Sequence, residues 1–394
     1  MSKKLRVAVL FGGKSAEHEV SLQSAKSVID ALDKSKYEVL LVGIGNDGRW
    51  YLNDASKFLL EAENPKLVKL NESSIGVVLL PGTNENQLVS LTNDQSPQTI
   101  DVVFPVLHGT FGEDGTVQGL LKLANVPFVG PSVLGSAVGM DKDVMKRLLR
   151  DAGLPIADFV TFTHIDKQSI CADEVIARLG LPLFVKPANL GSSVGVHKVR
   201  SKDDFDAAVA DAFRYDNKII IEENIFGREI EIAVLGNADP TASVAGEVIP
   251  QHDFYSYEAK YIDQKGAVLH VPAKLPADVL AQAQELAVET FKVLCCEGMS
   301  RVDLFLRPDG SLIVNEINTI PGFTKISMYP KLWEESGLPY SELLDKLIQF
   351  AIERFEREQA LKTSFAEPQP VDPAQIIEKM GGVVPADAAK AKST

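Results

Sequence analysis

The chain has 394 residues, enough for two or three domains with a sizeable core. It is 45% hydrophobic and 24% charged, ordinary proportions for a globular protein. The net charge of -14 argues against a general nucleic-acid or anionic-membrane binder.

Met1-Ser2-Lys3-Lys4 leads straight into apolar residues, with no signal peptide, and no apolar run approaches the ~20 residues that span a bilayer, so a cytoplasmic location is expected. Residues 5–11 read as a buried strand, followed by a Gly-Gly loop, a helix around 20–32 and a strand from Tyr37 to Ile44. That βαβ start predicts a parallel sheet. Residues 53–98 are polar and irregular and read as insertions and surface segments. Asp101 to Leu107 is another buried strand, ending at His108-Gly109; His108 can be structural or ligand-facing. A helix runs from Asp141 to Asp151, closed by Gly153 and Pro155. Leu183–Lys186 and Val194–Val199 are strands flanking a glycine loop; Ser201–Ala212 is a helix and Lys218–Glu223 a strand. A second α+β region occupies about 229–350. Beyond about Ser364 apolar periodicity is lost, which predicts a disordered tail. The three cysteines, Cys171, Cys295 and Cys296, offer neither a disulfide framework nor zinc-ligand spacing; Cys295 and Cys296 fit a buried helix.

Four segments carry chemistry. Gly12-Gly13-Lys14-Ser15 lacks the first glycine of a P-loop, because Ala8 stands there inside the strand. The turn still opens a helix N-terminus beside Glu17 and Ser21, a place for an anionic or zwitterionic ligand; on this segment alone, helix capping is the preferred reading. Lys186 ends an apolar strand and leads into Gly191-Ser192-Ser193-Val194-Gly195, small residues whose N–H groups can approach phosphate. Asp253–Tyr261 mixes aromatics with Glu258 and Lys260, the composition of either a packed loop or a water-excluding flap.

The fourth segment, Met299–Asn318, is the sharpest. It reads as two strands joined by a two-residue turn at Asp309-Gly310, which sets Pro308 against Ser311, Asp303 against Glu316 and Arg301 against Asn318. Those four polar residues then share one face, with Val302, Leu304, Ile313 and Ile317 on the other. Facing carboxylates destabilise a sheet unless neutralised, and two carboxylates with an amide suit Mg²⁺. The Pro321-Gly322 turn that follows can offer N–H groups to an oxyanion beside Arg301.

In order along the chain, Gly12-Gly13 with Ser15–Ser21, His108-Gly109 with Gly112–Gly115, Met140-Asp141-Lys142, Lys186-Pro187 with 191–195, Glu258–Tyr261, Arg301-Val302-Asp303, Asn315–Thr319 and Pro321–Thr324 closely resemble the D-alanine–D-alanine ligases of the ATP-grasp superfamily. The resemblance covers all but the tail. It implies an α/β and α+β chain, with a Rossmann-like (pre-ATP-grasp) domain at 1–130, a central ATP-grasp subdomain at 131–228, a C-terminal one at 229–364 and a tail at 365–394. It also implies a cytoplasmic homodimer using ATP and two Mg²⁺ ions, with Mn²⁺ as a substitute, and acting on D-alanine, with no nucleic-acid or membrane partner.

By the same match, Lys142, Lys186 and Lys260 contact ATP phosphates under a loop carrying Ser192 and Ser193. Glu222, Glu229 and the backbone near Glu223 and Ile225 hold adenosine; the side chain of Glu223 is at a variable position. Asp303, Glu316 and Asn318 bind metal. Glu17 holds the first D-alanine's ammonium with His108 beside it, Arg301 and Gly322 N–H stabilise the oxyanion, and Ser327 with the Met328 backbone takes the second substrate's carboxylate. Glu17, Ser192 and Tyr261 form a hydrogen-bonded set. The tyrosine flap favours an amine over a D-lactate second substrate.

The implied chemistry is conversion of a carboxylate to an acyl phosphate, attack by the second amine and loss of phosphate, for peptidoglycan precursors. Alternatives are an ATP-grasp ligase with another second substrate, such as D-lactate, and a nucleotide-binding regulator without catalysis. A Rossmann oxidoreductase fits poorly, because no G-x-G-x-x-G follows the first strand.

Overall fold

Strand β1 (Leu5–Gly12) is apolar throughout because both of its faces are covered. Val7, Val9 and Phe11 join one core cluster, while Ala8 and Leu10 join another. The computed structural model describes residues 3–53, 59–60, 68–71, 75–83, 85–92, 96–250, 267–324 and 326–362. Contacts group Met1–Phe355 as one unit; a second, from Glu356, is described only through Lys362.

Helix α1 (His18–Ala31) turns Leu22, Ala25 and Val28 onto the first face of β1. β2 (Tyr37–Ile44) runs parallel to β1, as expected. The parallel sheet does not continue outward. β3 (Trp50–Asn53) pairs antiparallel with β2; β4 (Leu59–Leu60) and β5 (Lys69–Leu70) form a separate pair; β6 (Ile75–Leu79) and β7 (Leu88–Ser90) extend the edge antiparallel. So part of the presumed insertion is sheet. Its short strands alternate only weakly, which hid them. β8 (Val102–Val106) closes the other side parallel to β1, and the described order is β7-β6-β3-β2-β1-β8. Helix α2 (Thr116–Leu123) covers the second face through Val117 and Leu121.

Helix α3 (Val133–Met140) is followed at once by α4 (Lys142–Asp151). The break is Asp141, whose carboxylate caps α4 by accepting from the N–H groups of Asp143 and Val144, each at 3.1 Å.

The next sheet is antiparallel, in the order β11-β10-β12-β9. Its strands are β9 (Phe159–Thr163), β10 (Leu183–Pro187), β11 (His197–Val199) and β12 (Lys218–Glu223), interleaved with helices α5 (Ala172–Leu179) and α6 (Lys202–Ala212). Both helices pack on Leu183, Val185, Ile219 and Ile221. Strand alternation therefore turns Lys186 to the opposite face. Glu222 pairs across with Phe184 and shares that face. β11 begins at His197, three residues later than expected, because 192–195 is turn.

A third antiparallel sheet has the order β15-β14-β13-β16-β17. It comprises β13 (Arg228–Gly236), β14 (Thr241–Pro250), β15 (Ala267–His270), β16 (Gly298–Leu306) and β17 (Leu312–Asn318), with helix α7 (Ala277–Val293) inserted before β16. α7 covers Ile230, Ile232, Val302, Leu304, Val314 and Ile317 on one face. Cys295 and Cys296 lie just beyond α7 rather than in it: Cys295 is exposed at φ 55 and Cys296 is buried. α8 (Met328–Glu335) and α9 (Tyr340–Gln359) follow. The α9 side chains Leu343, Leu347 and Ile348 belong to the cluster of Val7 and Val9.

Candidate functional site

The β16–β17 pairing sets Arg301 opposite Asn318 and Asp303 opposite Glu316. It does so by a route the sequence did not show. Arg307 N–H donates to Ser311 O at 2.9 Å, so the loop is Pro308-Asp309-Gly310, with Gly310 left-handed at φ 87. A bulge between Asp303 and Leu304 then restores the expected alignment, pairing Leu304 with Val314. Ile313 is the casualty: it pairs with Phe305, not with the Val302 and Leu304 face.

Strand β13 adds Glu231, which the sequence reading missed. It stands opposite Asp303, making a row of Glu231, Asp303 and Glu316 across three strands. Arg301 neutralises the middle of the row. Its Nε and Nη2 donate to the two Asp303 oxygens at 2.7 Å each, and Nε lies 3.1 Å from Glu231. Burial alone favours loss of the Arg301 proton, but Asp303 and Glu231 outweigh it and hold its pKa well above the usual value. Asn318 Nδ2 donates to Asp303 at 3.0 Å.

Asp303, Glu316 and the Asn318 carbonyl form a hard oxygen set suited to Mg²⁺. Among the described residues, no group of three or more His, Cys, Asp or Glu side chains could hold a metal by itself. A set of two carboxylates and an amide fits a cation that brings phosphate oxygens with it.

Lysines reach this face from α4 and β10. Lys142 Nζ donates to Leu190 O at 2.9 Å and lies 3.4 Å from Glu316. One helical turn on, Lys146 shares its face, is 1% exposed, and lies 3.2 Å from Glu222 Oε1. Lys186 Nζ donates to Glu222 Oε2 at 2.6 Å. Burial works against the Glu222 carboxylate, but Lys146 and Lys186 pull its pKa down to about 2. Burial likewise opposes the Lys186 ammonium, and Glu222 overrides it to raise that pKa. Glu222, expected near adenosine, is buried between two lysines. Lys146 escaped notice; its i, i+4 spacing from Lys142 was the available signal.

Glu223 Oε1 accepts from Asp158 N at 2.8 Å and closes the edge of β12 onto β9. Asn224, Ile225 and Phe226 line a cavity of about 360 Å³ with Arg307, Pro308 and Asp309. Glu229 bears electrostatically on Lys186.

Loop 191–195 is built from left-handed residues: Ser192, Ser193 and Gly195 have φ of 51, 60 and 68. A Cβ at Gly195 would stand 2.7 Å from the Tyr215 ring, so glycine is required there. Ser192 Oγ donates to Glu17 Oε1. Glu17 occupies the cap position of α1 but makes no side-chain capping bond, and Ser21 takes the Gly12 N–H while donating to Val106 O. Capping is therefore not what these side chains do. Lys260 and Tyr261 lie outside the described residues, as does the whole flap segment 253–261.

His108 is buried, with Nε2 3.1 Å from Ser24 Oγ and Nδ1 3.1 Å from Ile320 O. Burial lowers its pKa, and it braces α1 against the 319–321 segment. Glu113, also missed, accepts from Gly109 N at 2.6 Å and Ile320 N at 3.3 Å. Burial and then Glu17 push its pKa up to about 8. A small cavity of about 30 Å³ lies among Glu113, Lys142, Gly191, Glu316 and Asn318. Gly322 abuts Ser327: a Cβ there would fall 2.8 Å from Ser327 Oγ. Ser327 Oγ accepts from Thr324 N at 3.0 Å, and Met328 starts α8 with its side chain buried.

The residues 6–131 match the family model "D-ala D-ala ligase N-terminus" and 148–349 match "D-ala D-ala ligase C-terminus". A D-alanine--D-alanine ligase of Oceanobacillus iheyensis is 57% identical over 361 residues, covering 92% of this chain and 99% of that protein. D-alanine--D-alanine ligase A of Escherichia coli K12 is 54% identical over 362 residues, covering 92% and 100%. Among solved structures, the D-alanine-D-alanine ligase from Coxiella burnetii superposes with a TM-score of 0.80 at 40% identity, covering 96% of this chain and 99% of that one. The VanG D-Ala:D-Ser ligase from Enterococcus faecalis gives 0.77 at 38%, covering 89% and 100%.

Proposed function

The chain belongs to the D-alanine–D-alanine ligase family, with its ATP-grasp fold and N-terminal domain, and from that premise we infer that it joins two D-alanines in an ATP-dependent reaction. The enzyme forms a carbon–nitrogen bond and uses ATP with a divalent metal. The product serves peptidoglycan synthesis.

We assign the roles as follows. The first D-alanine's carboxylate takes the γ-phosphoryl group of ATP, giving an acyl phosphate and ADP. The second amine attacks the acyl carbon, the tetrahedral oxyanion collapses, and phosphate leaves. Neither step needs a nucleophile from the protein, so its task is positioning and charge stabilisation. Lys142 and Lys186 hold phosphate oxygens, Lys260 joins them, and loop 191–195 covers them. The cavity at Ile225 accepts the base, with Glu222, Glu223 and Glu229 nearby. Asp303, Glu316 and Asn318 would hold two Mg²⁺ ions, which would supply charge neutralisation for phosphoryl transfer. Arg301 and Gly322 N–H face the oxyanion. Glu17 takes the first ammonium next to His108, and Ser327 with Met328 N–H takes the second carboxylate. Tyr261 completes the set with Ser192 and Glu17. A cytoplasmic homodimer belongs to the same proposal; no described helix is long and apolar enough to cross a membrane.

The observation that carries the assignment is the shared face of Arg301, Asp303, Glu316 and Asn318, with Lys142 reaching Glu316 from α4. Phosphate release from ATP is expected only with Mg²⁺ and D-alanine together, giving D-alanyl-D-alanine by mass. Equal release with L-alanine would remove the stereospecific reading. Preferential use of D-serine or D-lactate beside D-alanine would replace the second substrate.

A further inference from the structure

Lys146 is a buried lysine on a carboxylate that already has a cation. Glu222 already has Lys186, whose ammonium donates to Oε2 at 2.6 Å. The Lys146 ammonium nevertheless sits 3.2 Å from the other oxygen and is 1% exposed. Nζ also lies 5.9 Å from the centre of the Phe159 ring, and Lys186 and Glu316 act on it electrostatically. Burying a second ammonium on one carboxylate carries a desolvation penalty, and an apolar side chain would pack at this position without it. Simple neutralisation of Glu222 therefore does not explain the residue. Burial holds Lys146 below the ordinary lysine range, opposed by Glu222 and reinforced by Lys186.

The geometry points to a different role. We propose that Lys146 is a positioning residue for the nucleotide: it occupies one oxygen of Glu222 and keeps the Lys186 ammonium from being fully neutralised by the other, so that Lys186 stays available to an ATP phosphate. With Lys146 protonated, the trio of Lys146, Lys186 and Glu222 taken by itself carries one positive charge in excess, which Glu229 and Glu316 offset from outside the trio. That surplus lies on the face of β10 and β12 to which Lys186 points, where a polyanion satisfies it. Lys186 and Glu222 are already in contact at 2.6 Å; without Lys146 the whole Glu222 charge acts on Lys186, and a phosphate must compete with it.

The inference rests on the reading that Lys186 contacts ATP, and a double-mutant cycle separates the two. Lys146→Met is expected to weaken Mg-ATP binding, measured by calorimetry on the full-length protein, and to raise KM for ATP, each roughly tenfold, with KM for D-alanine little changed. In a Glu222→Gln background the same substitution is expected to change ATP affinity less than about twofold, because the anion it manages is gone. An equal loss in both backgrounds overturns the proposal, as does unchanged ATP affinity in Lys146→Met. If Lys146→Met does not fold, Lys146→Arg decides: ATP affinity within about twofold of wild type supports the role, and a tenfold loss overturns it. Lys186→Met is the control. Unchanged ATP affinity there defeats the ATP-site reading itself. A loss there with no effect of Lys146→Met defeats only the present inference.

Discussion

Ser192 donates its hydroxyl hydrogen to Glu17 across 175 residues of sequence, joining loop 191–195 to the start of α1. The loop needs such a tether. Ser192 and Ser193 both sit in the left-handed region, at φ 51 and 60, which costs a non-glycine residue about 1–2 kcal/mol. Ser192→Ala removes the tether and keeps the backbone. It is expected to lower kcat/KM by about 10–100-fold, since misplacing reacting groups by ~1 Å costs on that scale. The melting temperature should move by less than about 2 °C, because a half-exposed loop contributes little to global stability. Unchanged kinetics would mean that the loop is held by other contacts.

Arg301 grips Asp303 with two parallel hydrogen bonds of 2.7 Å. A lysine supplies charge but not the planar fork, and it cannot span both oxygens while staying beside Glu231. Arg301→Lys is expected to lower kcat by about 10²–10³, the scale of losing one preorganised oxyanion donor. Measuring kcat and KM separately checks this. A rise in KM with kcat intact would move Arg301 from the transition state to substrate binding.

The hairpin shows how far the sequence could be read. The facing of Asp303 with Glu316 and of Arg301 with Asn318 was legible because strand alternation is strict. The loop length and the bulge were not. A one-residue error in each cancels at the site and leaves only Ile313 on the wrong side. Motif residues fixed in local patterns, such as Lys142 after the Asp141 cap, were equally accessible. Glu231 and Glu113 were not, because each matters through a partner far away in sequence, Arg301 and Ile320; Lys146 offered only its spacing from Lys142, its partner Glu222 being equally remote. The edge strands β6 and β7 were missed because three to five residues carry too few alternations to count.

Glu113 gives the protein a predictable pH dependence. Its carboxyl is pushed from the ordinary 4.5 to about 8 by burial and by Glu17. The folded state therefore binds a proton that the unfolded state releases between those values. The stability this contributes is full below about 4.5 and is lost as pH rises through about 8. The urea midpoint of the wild type should fall between pH 5 and about 8.5. Glu113→Gln keeps an acceptor for the Gly109 N–H without a titrating proton, and its midpoint should fall less over the same range. Parallel slopes for the two proteins would assign the proton elsewhere.

Glu316 is the β17 carboxylate of the row formed with Asp303 and Glu231, and Lys142 of α4 lies 3.4 Å from it. Converting it to glutamine leaves the β16–β17 ladder intact, because the side chain faces away from the α7 cluster that holds the strands. It removes one of the two charged oxygen donors and releases Lys142 from its partner. Mg²⁺ dehydrates reluctantly and is held through one or two carboxylates, so halving that charge should act on metal affinity before it acts on folding. Glu316→Gln is expected to raise the half-saturating Mg²⁺ concentration about tenfold or more and to lower turnover by about 10²-fold at saturating metal. Thermal unfolding in chelator should match the wild type within about 2 °C, since neither protein then carries the ion. Manganese titration followed by paramagnetic resonance separates the metal effect from turnover. Wild-type manganese affinity in Glu316→Gln would take this carboxylate out of the metal site and leave it as the counter-ion of Lys142.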